Sequence, residues 1–340
     1  MTAKRILVTG GAGFIGSELV TQLATAGHRV IVVDNLVNGK RRNLAHLDGA
    51  DVELVEADIR DRDVMARLLP GVEIVYHLAC LGVRHSLHDP FENHEVNATG
   101  TLILLDLARR AEVARFVYVS SSEVYGTARW VPMTEEHPTY PMTVYGSGKL
   151  AGECYTRAFW ESYRYPTVVV RPFNSFGPRS HHEGDSGEVI PKFMLRAMAG
   201  KPMVIFGDGT QTRDFTYVSD TARGIILAGM VDAAVGGTFN LGQGREISIN
   251  ELAHTIAAVV GRPNAPITHD APRPGDVLRL YADSTRAQHI LHILGFAPTV
   301  SLHEGLQRLH EWYLGCGVAI EDLLAEERVY NWKKEEKVGL

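Results

Sequence analysis

A glycine-rich turn between a strand pattern and a helix pattern is the feature that most constrains this chain. Residues 5–34 read RILVTGGAGFIGSELVTQLATAGHRVIVVD. An apolar run at 6–8 leads into the turn, and apolar residues then recur at helical spacing at 19, 20 and 23. The pattern therefore predicts a strand, a tight turn and a helix. The turn contains Gly10, Gly11, Gly13 and Gly16.

Three of these glycines fit the requirements of a dinucleotide-binding turn. Gly10 permits the bend, Gly13 lets backbone N–H groups approach a pyrophosphate, and Gly16 lets helix and strand pack closely. The positive end of the helix then faces the diphosphate. A turn without a ligand is the alternative, but a second strand pattern ends in Asp34, 24 residues after Gly10, where an acid binds the adenosine ribose.

The carboxylate of Asp34 also bears on the choice of cofactor. It would repel the 2′-phosphate of NADP, so the sequence favours NAD. A basic segment at 40–42 could hold such a phosphate, but a solvated loop is the simpler interpretation.

Composition restricts the class of protein. The 340 residues are 45% hydrophobic and 22% charged, which is ordinary for a globular protein. A formal net charge of −6 argues against nucleic acid and anionic membrane surfaces as partners. The N-terminus resembles no targeting peptide, no apolar run reaches the length of a membrane span, and three scattered cysteines suit a reducing compartment. We therefore expect a cytoplasmic protein.

Strand and helix patterns alternate after Asp34, which predicts an α/β fold with a doubly wound parallel sheet. Short apolar runs at 52–56, 74–78, 115–120 and 167–171 read as strands, and helical patterns lie between them. We expect a dinucleotide-binding domain at 1–174 and 214–241, and a smaller, interleaved α/β substrate domain at 175–213 and 242–315. Helices are predicted there at 250–261, 284–294 and 302–314, and 316–340 reads as a charged C-terminal tail.

Two further segments carry candidate catalytic groups. Tyr145 and Lys149 are spaced i, i+4 and share one helical face. An ammonium near a phenol lowers the pKa of the phenol, so Tyr145 is a candidate base. A preceding strand ends in serines, of which Ser121 is the candidate partner of a reacting hydroxyl, followed by Glu123 as a second acid or base. The alternative for the serines is simple turn formation.

With these motifs in place, the chain resembles the extended short-chain dehydrogenase/reductase family, in its NAD-dependent nucleotide-sugar epimerase/dehydratase branch. The resemblance covers about 5–315. Its markers are TGGAGFIG at 9–16, DNL at 34–36, DIRD at 58–61, HLAC at 77–80, SSSE at 120–123, Tyr145 with Lys149, RPFN at 171–174, GDG at 207–209, RDF at 213–215 and RPGD at 273–276.

The resemblance implies a Rossmann fold and a set of binding residues. The cofactor site would consist of Gly10, Gly13, Phe14, Ile15, Gly16, Asp34, Asn35, Asp58, Ile59, Leu78, Ala79, Cys80, Tyr145, Lys149 and Pro172. The nucleotide-sugar site would consist of Arg84, Ser122, Asn174, Val189, Ile190, Arg213, Arg273 and Asp276. The arginines suit this role because a guanidinium grips phosphates well, although a surface salt bridge is the alternative for Arg213 and Arg273.

The implied chemistry is oxidation of a sugar hydroxyl by NAD. The interpretation preferred here is a C4-epimerase that works through a 4-keto intermediate on a UDP-hexose, a UDP-N-acetylhexosamine or a UDP-uronic acid. A 4,6-dehydratase of the family has an Asp-Glu pair where this chain has Ser122-Glu123, and a UDP-glucuronate decarboxylase would want an arginine where this chain has Leu280. Both remain alternatives, as does a non-catalytic NAD-sensing subunit. UDP is not separated from dTDP, GDP or CDP.

Three lesser expectations complete the sequence analysis. His181 and His182 have no third ligand at metal spacing, so no metal is expected. His85 and His88 read as a polar loop. The resemblance implies a homodimer joined through helices that begin near 95 and 145, although their apolar residues would equally serve a monomer's core. These apolar residues are Leu102, Leu105, Ala151 and Phe159.

Overall fold

The computed structural model describes residues 2–273, 275–291 and 297–332. Pro274 of the RPGD marker, the end of the helix predicted at 284–294 and the last residues of the tail lie outside these ranges. The strands are β1 (Arg5–Thr9), β2 (Arg29–Asp34), β3 (Val52–Glu56), β4 (Ile74–His77), β5 (Arg115–Val119), β6 (Thr167–Pro172), β7 (Asn174–Phe176), β8 (Met203–Phe206), β9 (Thr212–Arg213), β10 (Phe215–Tyr217), β11 (Thr238–Leu241), β12 (Ile247–Ser248), β13 (Ile267–Asp270) and β14 (Arg279–Leu280).

The helices follow the predicted alternation. A π-helical turn, Glu95–Gly100, joins the helix Pro90–His94 to the helix Thr101–Arg110. The chain is therefore helical from Pro90, earlier than expected. The α-helices are α1 (Phe14–Thr25), α2 (Arg62–Leu68), α3 (Val83–His88), α4 (Pro90–His94), α5 (Thr101–Arg110), α6 (Val144–Tyr163), α7 (Val189–Met198), α8 (Val218–Met230), α9 (Ile249–Val259), α10 (Thr285–Leu291), α11 (Leu302–Gly315) and α12 (Ile320–Ala325).

In the part of the chain that the structure describes, seven strands form a parallel sheet in the order β11-β6-β5-β4-β1-β2-β3. Successive side chains of a strand point to opposite faces, so the apolar runs supply two cores. Ile6 and Val8 pack on the face covered by α1 and α8, whereas Leu7 packs on the other face with Leu104 and Phe159. The predicted doubly wound fold is confirmed.

A second core lies outside this sheet. It is built from α7, α9 and α11 together with the parallel pair β8–β13. Short strands β12, β9 and β14 form a further small sheet next to it, and β7 pairs with β10. The chain enters this region after β6 and returns to the main sheet through α8 and β11, which places the catalytic cleft between the two cores.

The segment expected to be a charged tail contains a helix. Leu323 and Leu324 of α12 are buried in the second core, and Asn331 is only 2% exposed. Two adjacent leucines among charged residues were too short a signal to predict this packing, because their burial depends on a surface formed by distant segments. Of the helices within the described ranges, none has the length and apolar character needed to cross a membrane.

Candidate active site

The carboxyl ends of the central strands open into a cavity of about 560 Å³ between the two cores. Parallel α/β sheets bind ligands at this edge, where the strand order reverses. Every residue predicted for the cofactor, the substrate or catalysis lies on the wall of this one cavity. The fold therefore brings all of the predicted site residues together. The hydrogen bonds and ion pairs described below determine which of their polar groups remain available to a ligand.

The turn after β1 is closely packed. Gly10 has φ +68°, and a Cβ at this position would lie 2.7 Å from the backbone nitrogen of Ala79. A Cβ on Gly16 would lie 2.1 Å from the carbonyl oxygen of Gly10. No side chain caps the N-terminus of α1 at Gly13, and its first turn has no acid. The turn thus leaves backbone N–H groups at the positive end of a helix, which suits a diphosphate.

Asp34 ends β2 at the cavity wall and is 7% exposed. Its carboxylate accepts hydrogen bonds from the backbone of Ala12 at 3.0 Å and of Leu36 at 2.9 Å. Burial raises the pKa of Asp34, and these hydrogen bonds oppose the rise. The bonds fix the carboxylate in one orientation toward the cavity, as ribose binding requires.

Asp58 and Ile59 lie beside Asp34, but Asp58 is already engaged. Arg60 donates to its two carboxylate oxygens from Nε at 2.9 Å and Nη2 at 2.7 Å. The hydrogen bonds from Arg60 hold the pKa of Asp58 below its usual value. Asp58 is thus an ionised, oriented group at the edge of the site.

The segment after β4 is positioned by a buried histidine. His77 shares hydrogen bonds with the hydroxyls of Thr9 at 2.7 Å and Thr101 at 2.9 Å, and burial lowers the pKa of His77 to about 3. Thr9 also accepts from the backbone of Ala79 at 3.2 Å. This neutral network holds Leu78, Ala79 and Cys80 against the turn at Gly10.

Tyr145 lies in the first turn of α6, whose start is fixed by Thr143. The hydroxyl of Thr143 accepts from the backbone of Gly146 at 3.1 Å, an N-cap that begins the helix at the cavity. One turn later, Lys149 is 3% exposed and donates from Nζ to the carbonyl oxygen of Val119 at 2.9 Å. Ser121 lies close enough to Tyr145 for its side chain to favour the phenolate and to oppose the rise in the pKa of Tyr145, so the end of β5 and the start of α6 meet at the cavity.

Burial dominates the surroundings of Tyr145, and the predicted effect of Lys149 on its pKa stays a prediction. Burial raises the pKa of Tyr145 well above its ordinary value, the charge of Cys80 raises it further, and the side chain of Ser121 opposes the rise. The Lys149 ammonium lies 6.0 Å from the centre of the phenol ring and is occupied by Val119. Helical spacing places two side chains on one face but does not settle what else each one contacts.

Ser121 has the turn-forming role that the sequence offered as the alternative, since it caps the short 3₁₀ turn Ser122–Val124 and accepts from the backbone of Glu123 at 3.2 Å. Its role as partner of a reacting hydroxyl stays a prediction. Glu123 is half-buried on the cavity wall, and desolvation raises its pKa against the opposing charges of Arg213 and Arg273. A raised pKa in a cavity suits a group that exchanges a proton with a ligand.

Arg213 and Arg273 converge on one carboxylate. Their Nη2 atoms donate to the same oxygen of Asp276, at 2.6 Å and 2.7 Å. Two guanidinium groups share one negative charge, so this corner of the cavity carries a net positive charge. Such a pair suits a diphosphate.

Arg84 and Glu188 are two further charged groups on the cavity wall. Burial lowers the pKa of Arg84 to about 10, and burial raises the pKa of Glu188 to about 7. The sequence analysis did not identify Glu188, which precedes the predicted Val189 and Ile190. In the sequence, Glu188 is a single acid directly before the apolar start of α7. Its position on the cavity wall becomes visible only in the folded structure.

Several buried polar atoms on this wall have no hydrogen-bond partner within the protein. They are the hydroxyl of Ser120, Nε of Arg84, Nδ1 of His85 and Oδ1 of Asn174. Buried polar groups are normally satisfied, so unpaired atoms aimed into a cavity indicate a polar ligand. Together with the turn at Gly10, they fit a dinucleotide and a polar substrate bound side by side.

The remaining candidate histidines contact acids. His85 and His88 lie in α3 and not in a loop as expected: His88 contacts Asp185 at 2.8 Å, and His85, which lines the cavity, lies 3.4 Å from Glu92. The fold brings Glu326 to His182 and Glu183, so a third possible ligand does exist, contrary to the spacing argument. Lys40 and His181 already contact Glu183 at 2.6 Å and 3.0 Å, which makes this group an ion-pair network.

Comparison with known proteins agrees with this geometry. Residues 7–309 match the GDP-mannose 4,6 dehydratase family. The chain is 40% identical to a UDP-glucose 4-epimerase of Mycolicibacterium smegmatis, over 91% of this chain and 98% of that protein.

Solved structures give the same result. The UDP-glucose 4-epimerase of Thermotoga maritima, solved with UDP-glucose, superposes with a TM-score of 0.86 at 35% identity, covering 92% of this chain and 99% of that one. The dTDP-glucose 4,6-dehydratase DesIV of Streptomyces venezuelae, solved with NAD, has a TM-score of 0.85 at 34% identity over 92% and 97% of the chains. The predicted family is confirmed: this chain belongs to the nucleotide-sugar epimerase/dehydratase branch of the extended short-chain dehydrogenase/reductase family.

Proposed function

We propose that this protein is an NAD-dependent nucleotide-sugar C4-epimerase that acts on a UDP-linked sugar through a 4-keto intermediate. The observation that carries the proposal is the meeting of Ser121, Tyr145 and a pyrophosphate-binding turn in one cavity with the cationic corner at Arg213 and Arg273. The similarity to UDP-glucose 4-epimerases supports the choice of reaction and of UDP.

The cofactor is held by the residues around the glycine turn. The first turn of α1 binds the pyrophosphate, Asp34 binds the adenosine ribose, and Lys149 lies next to the catalytic tyrosine. The remaining contacts come from Phe14, Ile15, Asn35, Asp58, Ile59, Leu78, Ala79, Cys80 and Pro172. When bound, NAD supplies a reversible hydride acceptor and, in its oxidised form, a positive charge beside the phenol.

The residues of the chain handle the proton. Tyr145 Oη, as phenolate, would take the proton of the C4 hydroxyl, and bound NAD would accept the C4 hydrogen as hydride, so that C4 becomes a ketone. Ser121 orients the same hydroxyl through its hydrogen bond. Because burial raises the pKa of Tyr145, positive charge nearby would be needed to stabilise the phenolate, and Lys149 and oxidised NAD would supply it. The 4-keto sugar would then turn over in the cavity, so that return of the hydride from the reduced cofactor to the other face of C4, and of the proton from Tyr145 to the oxygen, would give the epimer.

The substrate is held by the opposite wall. Arg213 and Arg273, with Asp276 between them, bind the diphosphate, and the backbone at 189–190 borders it. Arg84, Ser122 and Asn174 face the sugar, and the unpaired Nε of Arg84 and Oδ1 of Asn174 bind its hydroxyl or amide groups.

The experiment is incubation of the purified protein with a panel of UDP- and dTDP-sugars, followed by chromatography with mass spectrometry. We expect a product of unchanged mass and shifted retention time. Tyr145→Phe removes the base and should lower the rate by about 100-fold to 10,000-fold, the usual contribution of general base catalysis. Tyr163→Phe is the matched control, because Tyr163 is on the same helix but 57% exposed.

A 4,6-dehydratase is the second candidate, and Glu123 favours it. Desolvation raises the pKa of Glu123, and a carboxyl group with a raised pKa on the cavity wall is suited to protonate a leaving hydroxyl. A product lighter by one water, abolished by Glu123→Gln, would overturn the epimerase proposal in favour of this one. The decarboxylase is less favoured, because Leu280 is buried in β14 and Arg279 is paired with Glu246.

We also propose a cytoplasmic homodimer. Leu105 and Phe159 are buried in the core, so they do not serve an interface. On the helical segment 90–110, however, Phe91 is 83% exposed and Leu102 is 39% exposed, and these residues would be covered in a dimer. Light scattering on wild-type protein and on Phe91→Glu tests this: we expect a dimer that the substitution weakens, and a wild-type monomer would refute it.

We also propose a division into two domains. The cofactor domain consists of 1–174 and 214–241, and the substrate domain consists of 175–213 and 242–315. This division is supported by the two separate cores and by the interleaved path of the chain.

A further inference from the structure

The C-terminal segment Glu326–Trp332 lies beyond the residues that match the family and forms part of the cavity wall. The family match ends at 309, whereas Glu327, Val329, Asn331 and Trp332 all line the cavity. The bonding of this segment to the rest of the protein indicates that it is held in place.

Two basic residues of α7 anchor the segment. Arg196 Nε donates to both carboxylate oxygens of Glu327 at 2.9 Å, and Glu327 is 4% exposed at its side chain. Lys192 Nζ donates to the carbonyl oxygens of Arg328 at 2.8 Å and Val329 at 3.2 Å. Buried, charge-assisted hydrogen bonds of this kind fix a backbone path.

The segment also holds the loop that precedes α7. The side chain of Asn331 donates to the carbonyl oxygen of Gly187 at 2.9 Å, and the backbone of Gly184 donates to the carbonyl oxygen of Glu326 at 3.0 Å. The loop and the segment therefore form one continuous wall.

An aromatic cluster ends this wall. The rings of Phe206 and Trp332 are 4.6 Å apart at 88°, an edge-to-face contact, and both residues line the cavity. Tyr330 packs against both rings and donates its hydroxyl to Asp270 at 2.6 Å. The cluster presents apolar ring surface to a cavity whose other walls carry charged groups.

The order of groups along the substrate wall identifies what this surface faces. In the proposed function, the sugar lies next to Tyr145 and the diphosphate lies next to Arg213. Arg213 is joined to Phe206 by a short loop in which Gln211 donates to the carbonyl oxygen of Phe206 at 2.8 Å. In a nucleoside diphosphate sugar the nucleoside lies on the far side of the diphosphate from the sugar, so it extends toward Phe206 and Trp332.

We propose that the C-terminal segment supplies the nucleobase subsite, with Trp332 as the ring on which the base of the nucleoside diphosphate stacks. This inference rests on the proposed function for the class of ligand, but not for the reaction. Base stacking on an aromatic side chain is a substantial part of binding and tolerates different bases. Trp332 is thus a specificity residue for a nucleotide-linked substrate and takes no part in proton transfer.

The test is calorimetric titration of UDP into the NAD-loaded protein and its variants. We expect Trp332→Ala to weaken UDP binding by about 5-fold to 100-fold, the range for loss of one stacked base. Trp332→Phe should restore most of the affinity, since it keeps a stacking surface. Trp130→Ala is the control: Trp130 is half exposed, lies outside the cavity wall, and should leave UDP binding unchanged.

A second readout reports on the contact itself. Wild-type tryptophan fluorescence should be quenched by UDP, and this change should disappear in Trp332→Phe but persist in Trp130→Phe. In catalysis, Trp332→Ala should raise KM and leave kcat within about twofold, because stacking is the same in ground and transition states. Thermal melting of each variant separates lost stacking from lost folding.

Each remaining outcome is decisive. UDP affinity of Trp332→Ala within twofold of wild type overturns the inference, and so does equal weakening in Trp332→Ala and Trp332→Phe. Wild-type protein that binds none of UDP, dTDP, GDP and CDP contradicts this inference and the proposed function together. Binding that depends on Trp332, without conversion of any sugar, overturns the proposed reaction alone.

Discussion

Two buried arginine clusters in this protein differ in how completely their charges are matched. Arg171 donates to both carboxylate oxygens of Glu153, at 2.8 Å and 2.6 Å, and also to Tyr125 at 2.8 Å. Arg213 and Arg273 instead share a single oxygen of Asp276. The first cluster is nearly free of solvent, while the second faces the cavity.

The difference separates structure from function. A buried guanidinium with a bidentate carboxylate has its charge and donors satisfied, so it can only hold the fold together. Two guanidinium groups on one carboxylate leave a net positive charge and spare donors, which bind an anion. The same residue type therefore has opposite roles in the two clusters, and substitutions at each should separate stability from binding.

The largest expected effect is at the matched cluster. Arg171→Met leaves Glu153 buried without its main partner, which should lower the free energy of unfolding by about 3–5 kcal/mol. Urea denaturation measures this change. Arg171→Met combined with Glu153→Met should recover most of the loss, because no charge then remains unpaired. If Arg171→Met alone were as stable as the double variant, burial of the Glu153 carboxylate would not depend on its pairing with Arg171.

The next effect concerns Glu188, whose charge is poorly matched. Burial raises its pKa to about 7, so the folded protein retains a proton that the unfolded chain releases near pH 4.5. The free energy of unfolding therefore falls as pH rises from about 4.5 to 7, by up to about 3 kcal/mol from this group. Glu188→Gln should remove that slope in urea denaturation at pH 5 and pH 8; parallel wild-type and variant profiles would contradict it.

A smaller effect, on binding rather than on stability, is expected at the cationic corner. Arg213→Gln removes charge-assisted bonds to the diphosphate while Arg273 still pairs with Asp276. UDP affinity should fall by about 10-fold to 100-fold, with little change in the free energy of unfolding. Arg286→Gln is the control for the loss of one arginine charge, because Arg286 lies in an exposed ion pair with Glu136. A loss of stability as large as that of Arg171→Met would place Arg213 with the structural cluster.

The smallest effect tests solvent exposure within one cluster. Glu153 also contacts Arg157, which is 39% exposed at its side chain, at 3.0 Å. Because water screens this partner, Arg157→Gln should cost no more than about 1 kcal/mol in urea denaturation. A cost close to that of Arg171→Met would mean that exposure does not distinguish the two partners of Glu153.

Much of the fold and of the cavity lining could be predicted from the sequence because the signals are local. The turn at Gly10, the acid at Asp34 and the i, i+4 pair Tyr145 and Lys149 each depend on a few adjacent residues whose conformation limits what they can contact. The alternation of strand and helix patterns likewise predicted the parallel sheet, since its two faces use a period of two.

The features that escaped prediction join distant segments. The raised pKa of Tyr145 results from burial by several elements, Glu188 faces the cavity only because α7 begins at its rim, and Trp332 meets Phe206 across more than a hundred residues of chain. None of these has a recognisable spacing. Their effects come from desolvation and proximity, which exist only after the two cores have packed together.

By itself, the sequence determined that this chain forms a dinucleotide-binding α/β fold of a known enzyme family, and it predicted the candidate catalytic residues that the fold gathers in one cavity. Only the tertiary structure decided which charges are matched and which remain available. It also decided that the C-terminal segment completes the wall of the cavity. The physical reason is that backbone geometry is specified by neighbouring residues, whereas the free energy of a charge or a ring depends on everything packed around it.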